Sequence, residues 1–425
     1  MIGDLSNLGY VLKGLGLLDR ARARLQEGLE LSDRTLAGNV SADVRSELAF
    51  KHTYLMHNLA NVLREIGDNE GALELLNRTK DDAAGKRMPI QLSYHYTSIA
   101  HMLLQAGRID ESLAHYRSAV ELTRGANFVP GLAQSLSMLG TLLLGLGRDA
   151  EARGHLEEAA QLFAQLKDRE AEARLWADIA RVDELAHQDA NALACWSRAR
   201  ALRRELRDRA GELVAVEGLA RVTRRHVSEP SFGLSYYVEA VALAATLGDP
   251  AAEGRLRNVV GILEWESGRH AAALEQYETA LACFRRAENA EGIGLALNSI
   301  GVTLRAMGRH GDAHRALGEA LEHNRREGLE VLLAHSLGAL GALERDAGEV
   351  DGAALRFEES LAIRLHLRDR RGEGWMRYEL ARVAAARGSP DTARSQLVTA
   401  AALAEECGDA ALGEACDRLR RSAGL

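Results

Sequence analysis

Long apolar runs are missing from this 425-residue sequence. No stretch reaches the roughly 18 apolar residues of a membrane-spanning helix, and the amino terminus lacks the basic start and apolar core of a secretory signal. Cysteine is rare and forms no CxxC pair or metal-ligand spacing. We therefore expect a cytoplasmic protein that needs no disulfide bridges and contacts no membrane. The cysteines are Cys195, Cys283, Cys407 and Cys416.

Lysine is also scarce, so arginine supplies nearly all of the 53 basic residues. Together with abundant alanine and glycine, this usage indicates GC-rich coding and hence a bacterial source. The formal net charge of −8 argues against direct nucleic-acid binding by bulk electrostatics. Lysine occurs at Lys13, Lys51, Lys80, Lys86 and Lys167.

Signatures of catalysis are absent as well. The sequence has no P-loop, no GxSxG, no HExxH and no glycine-rich phosphate cradle. His310 and His314 have a metal-compatible spacing beside Asp312, but no third ligand is evident. We predict a protein that is not an enzyme and has no catalytic residue, metal or cofactor.

What the sequence has is a regular spacing of glycine. Seven glycines fall 40 residues apart within two blocks. A motif that recurs at fixed spacing indicates that one supersecondary unit is stacked many times, as in a solenoid. Glycine suits the left-handed position that closes a helix. The seven are Gly67, Gly107, Gly147, Gly268, Gly308, Gly348 and Gly388.

The residues around these glycines repeat too. Leu139-Gly140 precedes Gly147, Ala152 and Leu156 follow it, and other units carry the same residue types in the same slots. This pattern resembles the tetratricopeptide repeat (TPR) family, whose Leu-Gly pair, turn glycine and Ala, aromatic, Ala trio occupy these slots. Ten pairs of a branched apolar and a small residue begin at Leu8, Leu59, Ile99, Leu139, Ile179, Leu219, Val260, Ile300, Leu340 and Leu380.

The resemblance implies an all-α fold. We expect an α-solenoid of about ten TPR helical hairpins in a right-handed superhelix, forming one domain over residues 1–425. An apolar stripe from Leu412 to Leu419 predicts a capping helix over 409–422. The expected units lie near 1–34, 43–82, 83–122, 123–163, 164–203, 204–244, 245–284, 285–324, 325–364 and 365–405.

Four links between hairpins share an acidic pattern, in which an aspartate precedes a glutamate by four residues. Aspartate at the start of a helix caps free backbone N–H groups and suits the helix dipole. We predict that these residues cap helices and have no binding role. The pairs are Asp168 and Glu172, Asp208 and Glu212, Asp249 and Glu253, and Asp369 and Glu373.

The repeat pattern breaks at three places. Units one and two are 51 residues apart; the surplus lies near Thr35–Val44, where Gly38, Asn39 and Ser41 predict a loop. His187 replaces the turn glycine of unit five, and the segment RRHVSEPSF replaces the turn of unit six. This middle region is a hinge, a binding site or a tolerant turn that has drifted. Few residues precede Leu8, so we expect the chain to be a fragment of a longer polypeptide.

In TPR proteins the first helix of each hairpin lines a concave groove, and the resemblance implies the groove positions here. Arginine binds carboxylates in a two-point fashion, which favours an extended acidic peptide. Acidic residues on the same face favour the alternative that the groove neutralises itself. The predicted groove residues are Tyr54, His57, Asn61, Arg64, Tyr94, His101, Arg174, Arg181, Arg221, Arg224, Arg225, Arg255, Asn258, Trp265, Asn298, Arg305, Arg345, Trp375, Tyr378 and Arg382.

Two functions are compatible with this sequence. The first is a non-enzymatic scaffold that binds a protein or peptide in the groove, as the arrays of kinesin light chains and Pins-family proteins do. The second is the sensor arm of a larger bacterial signalling or transcription regulator, which binds a small effector or another domain of its own chain. Arrays of this period also resemble the sensor portions of STAND, LuxR-type and antibiotic-regulatory proteins.

Overall fold

The computed structural model describes the backbone of residues 1–85, 88–226 and 230–424, and their side chains except at 82–85, 226 and 230–232. Within this part of the chain all regular elements are helices and no β-strand occurs, which confirms the all-α prediction. The helices form two compact units, which we call unit 1 (Met1–Asp208) and unit 2 (Arg209–Leu425). That residues 1–425 form one continuous solenoid stays a prediction.

Unit 1 is built from ten helices, α1 to α10. They are α1 (Ile2–Gly14), α2 (Leu18–Ala37), α3 (Ala42–Ile66), α4 (Asn69–Gly85), α5 (Pro89–Gln105), α6 (Ile109–Gly125), α7 (Val129–Gly145), α8 (Asp149–Gln165), α9 (Arg169–Leu185) and α10 (Asp189–Glu205).

Unit 2 contributes the remaining described helices, α11 to α21. They are α11 (Arg209–His226), α12 (Pro230–Leu247), α13 (Pro250–Glu266), α14 (His270–Arg286), α15 (Ala290–Ala306), α16 (His310–Arg326), α17 (Glu330–Asp346), α18 (Val350–His366), α19 (Arg370–Ala386), α20 (Pro390–Cys407) and α21 (Ala410–Ala423).

Each odd-numbered helix from α1 to α19 packs against the even-numbered helix that follows it, so the repeating element is a helical hairpin. Most helices have 17 residues, and turns as short as residues 106–108 join them. Two such helices and two such turns account for the 40-residue period. The hairpins therefore follow the spacing of the glycines.

A residue in the left-handed backbone conformation recurs in both turns of each 40-residue repeat. Inside the hairpin it is glycine, as predicted, with φ of 75° at Gly107 and 74° at Gly308. His187 takes the same conformation, with φ of 56°, where that glycine is missing. Between hairpins the residue is often not glycine, as at Lys167 and Glu288, with φ of 61° and 52°. These turns therefore tolerate a backbone conformation that is about 1 kcal/mol less favourable for a residue other than glycine.

The small residues of the repeat have a steric cause. A Cβ atom added to Gly261 would lie 2.5 Å from Cε1 of Tyr277, and one added to Gly301 would lie 2.5 Å from Cγ of Leu317. Tyr277 and Leu317 are buried in the core of unit 2. The large residue of the second helix therefore packs directly on the backbone of the first, which only a small residue permits.

The aspartates between hairpins cap helices. Asp168, Asp249 and Asp369 each accept a hydrogen bond from the backbone N–H three residues later, at 2.9–3.0 Å. Asp208 accepts one from Nη1 of Arg203, at 2.8 Å. The cap prediction is therefore confirmed at Asp168, Asp249 and Asp369.

The glutamates four residues after these caps are buried rather than solvated. Glu172 accepts hydrogen bonds from Arg169 in its own helix and from Arg198 in the next, at 2.8 and 2.9 Å. Although burial opposes ionisation, these two arginines hold the pKa of Glu172 below its usual range. Glu253 and Glu373 are likewise buried and pair with the arginine four residues on, both at 2.9 Å.

Two predicted breaks have different outcomes. The loop predicted at Gly38, Asn39 and Ser41 is confirmed, because α2 ends at Ala37 and α3 begins at Ala42. Most of the surplus residues lengthen these two helices, to 20 and 25 residues. The predicted hinge around 226–232 lies outside the residues whose side chains the structure describes.

Candidate functional site

Odd-numbered helices form the inner wall of each unit. In unit 1, α1 contacts α3 and α5 contacts α7. In unit 2, α15 contacts both α13 and α17, and α17 contacts α19. The helices expected to line a groove are therefore the ones that approach each other from hairpin to hairpin.

The first candidate site is a cavity of about 390 Å³ in unit 1, between α1, α3 and α5. Its walls are aromatic and its floor is polar. Thr53, Asn58 and His95 at the floor are buried, whereas the aromatic side chains are about half exposed. We call it the aromatic cavity. It is lined by Tyr10, Phe50, Thr53, Tyr54, His57, Asn58, Asn61, Gln91, Tyr94 and His95.

Two histidines meet at the floor of the aromatic cavity. The Nδ1 atoms of His57 on α3 and His95 on α5 lie 3.2 Å apart. One Nδ1 must donate and the other accept, so at least one of the two rings is neutral. Burial, with a smaller effect of Lys13, lowers the pKa of His57 to about 4. The His57 ring is therefore neutral at neutral pH.

Two further cavities adjoin the aromatic cavity along the odd-numbered helices and share lining residues. One, of about 220 Å³, shares Asn61 with it and includes Arg64. The next, of about 530 Å³, shares His101 and Met138 with the second and ends at Arg174 on α9. The three cavities form a continuous surface, which we call the amino-terminal groove.

The amino-terminal groove is cationic although the chain as a whole is acidic. Of the residues that line its three cavities, all within the described part, Arg64 and Arg174 are the charged ones and none is a carboxylate. Burial and the neighbouring Arg64 lower the pKa of His101. The groove is thus suited to a negatively charged ligand.

The two groove arginines keep donors available. Nε of Arg64 is buried and has no hydrogen-bond partner in the described chain. Its nearest carboxylate, that of Glu65, is 4.0 Å away and lies 3.1 Å from Nζ of Lys13. Arg174 donates to the hydroxyl of Ser137, at 3.2 Å, and is otherwise exposed.

The residues predicted for the amino-terminal half therefore come together. Tyr54, Asn61 and Tyr94 line the aromatic cavity, and Arg174 lies at the far end of the groove. Arg181 is different, because its guanidinium pairs with Asp178 at 3.0 Å.

The predicted arginines of the middle region belong to unit 2. Arg221, Arg224 and Arg225 are exposed on α11, and Arg224 pairs with Glu266 at 3.2 Å. Arg255 on α13 is exposed and forms no ion pair with a described residue. Burial raises the pKa of Glu217, and Arg255 and Arg221 oppose that shift.

Two asparagines occupy the same slot on consecutive inner helices of unit 2. Asn258 on α13 is buried, and Asn298 on α15 is half-buried. The Oδ1 atom of each is buried and has no hydrogen-bond partner among the described residues. Trp265, also on α13, is partly exposed and lies 5.8 Å from the ring of His270. An unused amide offers both a donor and an acceptor to a peptide group.

Basic residues toward the carboxyl end of unit 2 are already paired. Arg305 and Arg345 both contact Asp346, at 3.2 and 2.7 Å. Glu379 pairs with Arg345 and, at 3.2 Å, with Arg382. Internal ion pairs therefore consume much of the charge on this stretch of the inner wall.

The aromatic residues near this end contact each other and the chain. Trp375 donates its indole N–H to Asp409, at 3.1 Å, and packs edge-on against Tyr378 with ring centroids 5.8 Å apart. The guanidinium of Arg382 lies 5.8 Å from the centre of the Tyr378 ring. These side chains form a cluster of their own rather than an open pocket.

Sequence reasoning missed part of the aromatic cavity. Tyr10 and Phe50 were not predicted, although Phe50 stands one helical turn before Tyr54 on the same face of α3. Extending the groove face backward by four residues would have found it. His95 was not predicted either. It follows the exposed Tyr94 on α5, but its ring is buried and lines the floor of the cavity.

Two further structural features bear on function. No helix in the described part of the chain is long and apolar enough to cross a membrane. Among the same residues, no group of three or more His, Cys, Asp or Glu side chains is placed to hold a metal ion.

Comparison with known proteins supports the repeat assignment. The tetratricopeptide repeat family profile matches residues 91–165 and 253–326. No curated protein matches the sequence. A signal transduction ATPase with numerous domains (STAND) that has a tetratricopeptide repeat sensor, from Pyrococcus horikoshii, superposes with a TM-score of 0.56 at 11% identity. The match covers 89% of this chain and 56% of that one, so this chain spans about half the length of that protein.

Two other solved structures align less closely. Aspartyl phosphate phosphatase F from Bacillus subtilis aligns with a TM-score of 0.47 and 13% identity, covering 97% of this chain and 95% of that one. BtubC from P. vanneervenii aligns with a TM-score of 0.45 and 19% identity, covering 54% of this chain and 92% of that one.

The fold and the repeat profile agree. TPR proteins generally bind protein or peptide partners, and their fold is typically a non-catalytic interaction scaffold. The family profile shows that residues 91–165 and 253–326 are tetratricopeptide repeats, and the helical hairpins and turn glycines support the same superfamily for the chain.

Proposed function

We propose that this chain is a non-enzymatic scaffold whose amino-terminal groove binds an extended, acidic segment of a partner protein. The observation that carries the proposal is the charge of that groove. In a chain with net charge −8, the lining residues of three connected cavities include two arginines and no carboxylate. An acidic segment would meet complementary charge along the groove.

The few hydrogen bonds that Arg64 and Arg174 form within the described chain support the same conclusion. A guanidinium presents several N–H donors in a planar fork that matches a carboxylate. Arg64 has a buried donor without a partner, and Arg174 is bonded only to a neutral hydroxyl. A ligand carboxylate would therefore gain charge-assisted hydrogen bonds and would compete only with the 4.0 Å contact between Arg64 and Glu65.

Unit 2 has inner-wall residues of its own that suit a bound segment. The free amides of Asn258 and Asn298 can each pair with a peptide group, and Arg255 can pair with a carboxylate. Arg224, Arg305 and Arg382 would have to exchange an internal carboxylate for that of the ligand. We therefore propose that Arg255 and the two asparagines carry binding in this unit.

The experiment is selection from a library of random peptides displayed on phage, with the full chain as bait. Wild type is expected to enrich peptides rich in Asp and Glu. The double variant Arg64→Glu, Arg174→Glu should bind the selected peptides at least about tenfold more weakly. The control variant Arg22→Glu, Arg117→Glu makes the same charge change on even-numbered helices and should bind as wild type does. Equal binding by both variants would remove the groove from the proposal.

A second candidate function is the sensor arm of a larger bacterial signalling regulator in the cytoplasm. The similarity of fold to the STAND protein with a TPR sensor favours it, because that match covers most of this chain. The gene's full reading frame tests this candidate. An adjoining nucleotide-binding or DNA-binding module would support it, and a reading frame without one would count against it.

A further inference from the structure

The exposed aromatic side chains of this protein are gathered in one place. Five are exposed in the described part of the chain, and four of them line the aromatic cavity. The fifth is Trp265, in unit 2. Soluble proteins rarely leave a cluster of large apolar side chains in water unless it serves binding. The four are Tyr10, Phe50, Tyr54 and Tyr94.

We infer that the aromatic cavity is a binding site for a small, planar, uncharged heteroaromatic molecule, whereas the acidic segment lies along the other two cavities of the groove, which hold Arg64 and Arg174. Tyr54 and Tyr94 stand at equivalent slots of consecutive inner helices, 40 residues apart, and flank the opening. Tyr94 is held edge-on to Phe128, with ring centroids 6.1 Å apart. Rings presented in this way stack on a flat ligand.

The polar groups of the cavity select a ligand with a hydrogen-bonding edge. The side-chain amides of Asn61 and Gln91 line the cavity and form no hydrogen bond with the described chain. Asn58, deeper in the floor, donates to the hydroxyl of Ser6 at 3.3 Å and is already used. Two free amides provide donors and acceptors for ring nitrogens, a ring N–H or a carboxamide.

The absence of charge selects against ions. No Asp, Glu, Lys or Arg is among the residues that line the cavity, and burial keeps His57 neutral at neutral pH. Burying a charged ligand against neutral walls costs free energy that no opposite charge offsets. The volume of about 390 Å³ falls at the lower end of the range for small-molecule pockets, roughly 300–1,000 Å³. The aromatic cavity and the two arginine-containing cavities of the groove therefore suit ligands of different chemistry.

Ligand-observed NMR titration of the full chain tests this inference. The probes are three neutral ring compounds, adenine, nicotinamide and indole-3-carboxamide, and two charged relatives of one of them, nicotinate and 1-methylnicotinamide. We expect at least one neutral probe to bind saturably and both charged relatives to bind at least about tenfold more weakly than nicotinamide. Binding of no neutral probe, or equal binding of the charged ones, would overturn the inference.

Variants locate the binding. Tyr94→Ala and Asn61→Leu should each weaken binding of the neutral probe about tenfold, through a lost stacking surface and a lost hydrogen bond. Leu295→Ala, at the equivalent exposed slot of α15, should change nothing. Unchanged binding in Tyr94→Ala and Asn61→Leu together would place the probe elsewhere and refute the site.

The groove variant separates this inference from the proposed function. Arg174→Glu should weaken binding of the selected acidic peptides and leave neutral-probe binding intact, because Arg174 is absent from the aromatic cavity. An aromatic group that binds only as part of a peptide, and never as a free molecule, would show that the cavity belongs to the peptide groove and would overturn the inference.

Discussion

His57 and His95 lie on neighbouring hairpins, and their Nδ1 atoms are 3.2 Å apart at the floor of the aromatic cavity. Protonating both rings would replace a hydrogen bond by two facing positive charges. Lys13 adds to the same cost. The pair therefore makes the amino-terminal hairpins sensitive to acid.

The first prediction is a loss of stability at mildly acidic pH. The pKa of His57 is about 4 in the fold and about 6.5 in the unfolded chain, so between these values the unfolded chain binds more protons. The free energy of unfolding should therefore fall as pH drops from about 6.5 toward 4, by up to about 1.4 kcal/mol per pH unit from this residue. Urea denaturation at several pH values measures it.

The control for the pH prediction is a second histidine variant. His57→Gln should flatten the pH dependence in this range by about one proton, whereas His366→Gln changes an exposed histidine and should leave it as in wild type. Equal pH dependence in wild type and His57→Gln would show that the pair does not control it.

The second prediction concerns two glycines of one hairpin. Gly301→Ala should lower the free energy of unfolding by about 1–3 kcal/mol, because the new Cβ would lie 2.5 Å from Cγ of Leu317. Gly318→Ala, on the second helix of the same hairpin, meets no atom within 4 Å and should raise stability by about 0.5–1 kcal/mol. Urea denaturation of both variants measures the two changes in the free energy of unfolding. Changes of the same sign would contradict the explanation from packing.

The third prediction concerns the last helix. Asp409 accepts hydrogen bonds from the backbone N–H of Leu412, at 3.1 Å, and from the side chains of Arg371 and Trp375, at 2.7 and 3.1 Å. Asp409→Ala should therefore loosen α21 and speed hydrogen exchange of its amides about tenfold. Asp391→Ala, which removes an exposed aspartate at the start of α20, serves as the control. Unchanged exchange in α21 after Asp409→Ala would rule out this anchoring role.

Turn positions show what sequence reasoning captured of the fold and what it missed. The turn inside each hairpin was predicted because glycine marks its left-handed residue, as at Gly107. The second turn was not, because Lys167 and Glu288 adopt the same conformation without a compositional signal. An exposed turn closed by backbone hydrogen bonds tolerates that cost, so the residue type there carries little information.

The candidate site was predicted where the repeat could be aligned. Tyr54, Asn61 and Tyr94 sit in slots that recur with the period and were found. Tyr10 was missed because the surplus residues between the first and second repeats obscured how α1 is placed against α3. That surplus lies in helix extensions, which have no turn residues to reveal them.

Ion pairs were the other unpredictable part. The sequence showed acidic and basic residues on one face but not which of them meet. Arg305 reaches Asp346, 41 positions along the chain, whereas Arg255 reaches no carboxylate. Such pairings depend on side-chain conformations and on the offset between neighbouring helices, which a periodic pattern does not specify.

The fourth prediction is a dependence of peptide binding on salt. If Arg64 and Arg174 bind ligand carboxylates, raising the ionic strength should weaken binding of a library-selected acidic peptide. Arg174→Glu should reduce this dependence. Isothermal titration at low and high salt provides the measurement, and an affinity that is independent of salt in wild type would argue against charge recognition.

The central claim, that the inner wall of unit 1 holds a partner segment, is tested most directly by site-specific photo-cross-linking. A photoreactive residue placed at Gln134, which is exposed on α7 and lines the groove, should cross-link to a selected acidic peptide. The same residue placed at Glu121, exposed on the even-numbered helix α6, should not. Cross-linking from Glu121 and none from Gln134 would contradict the claim.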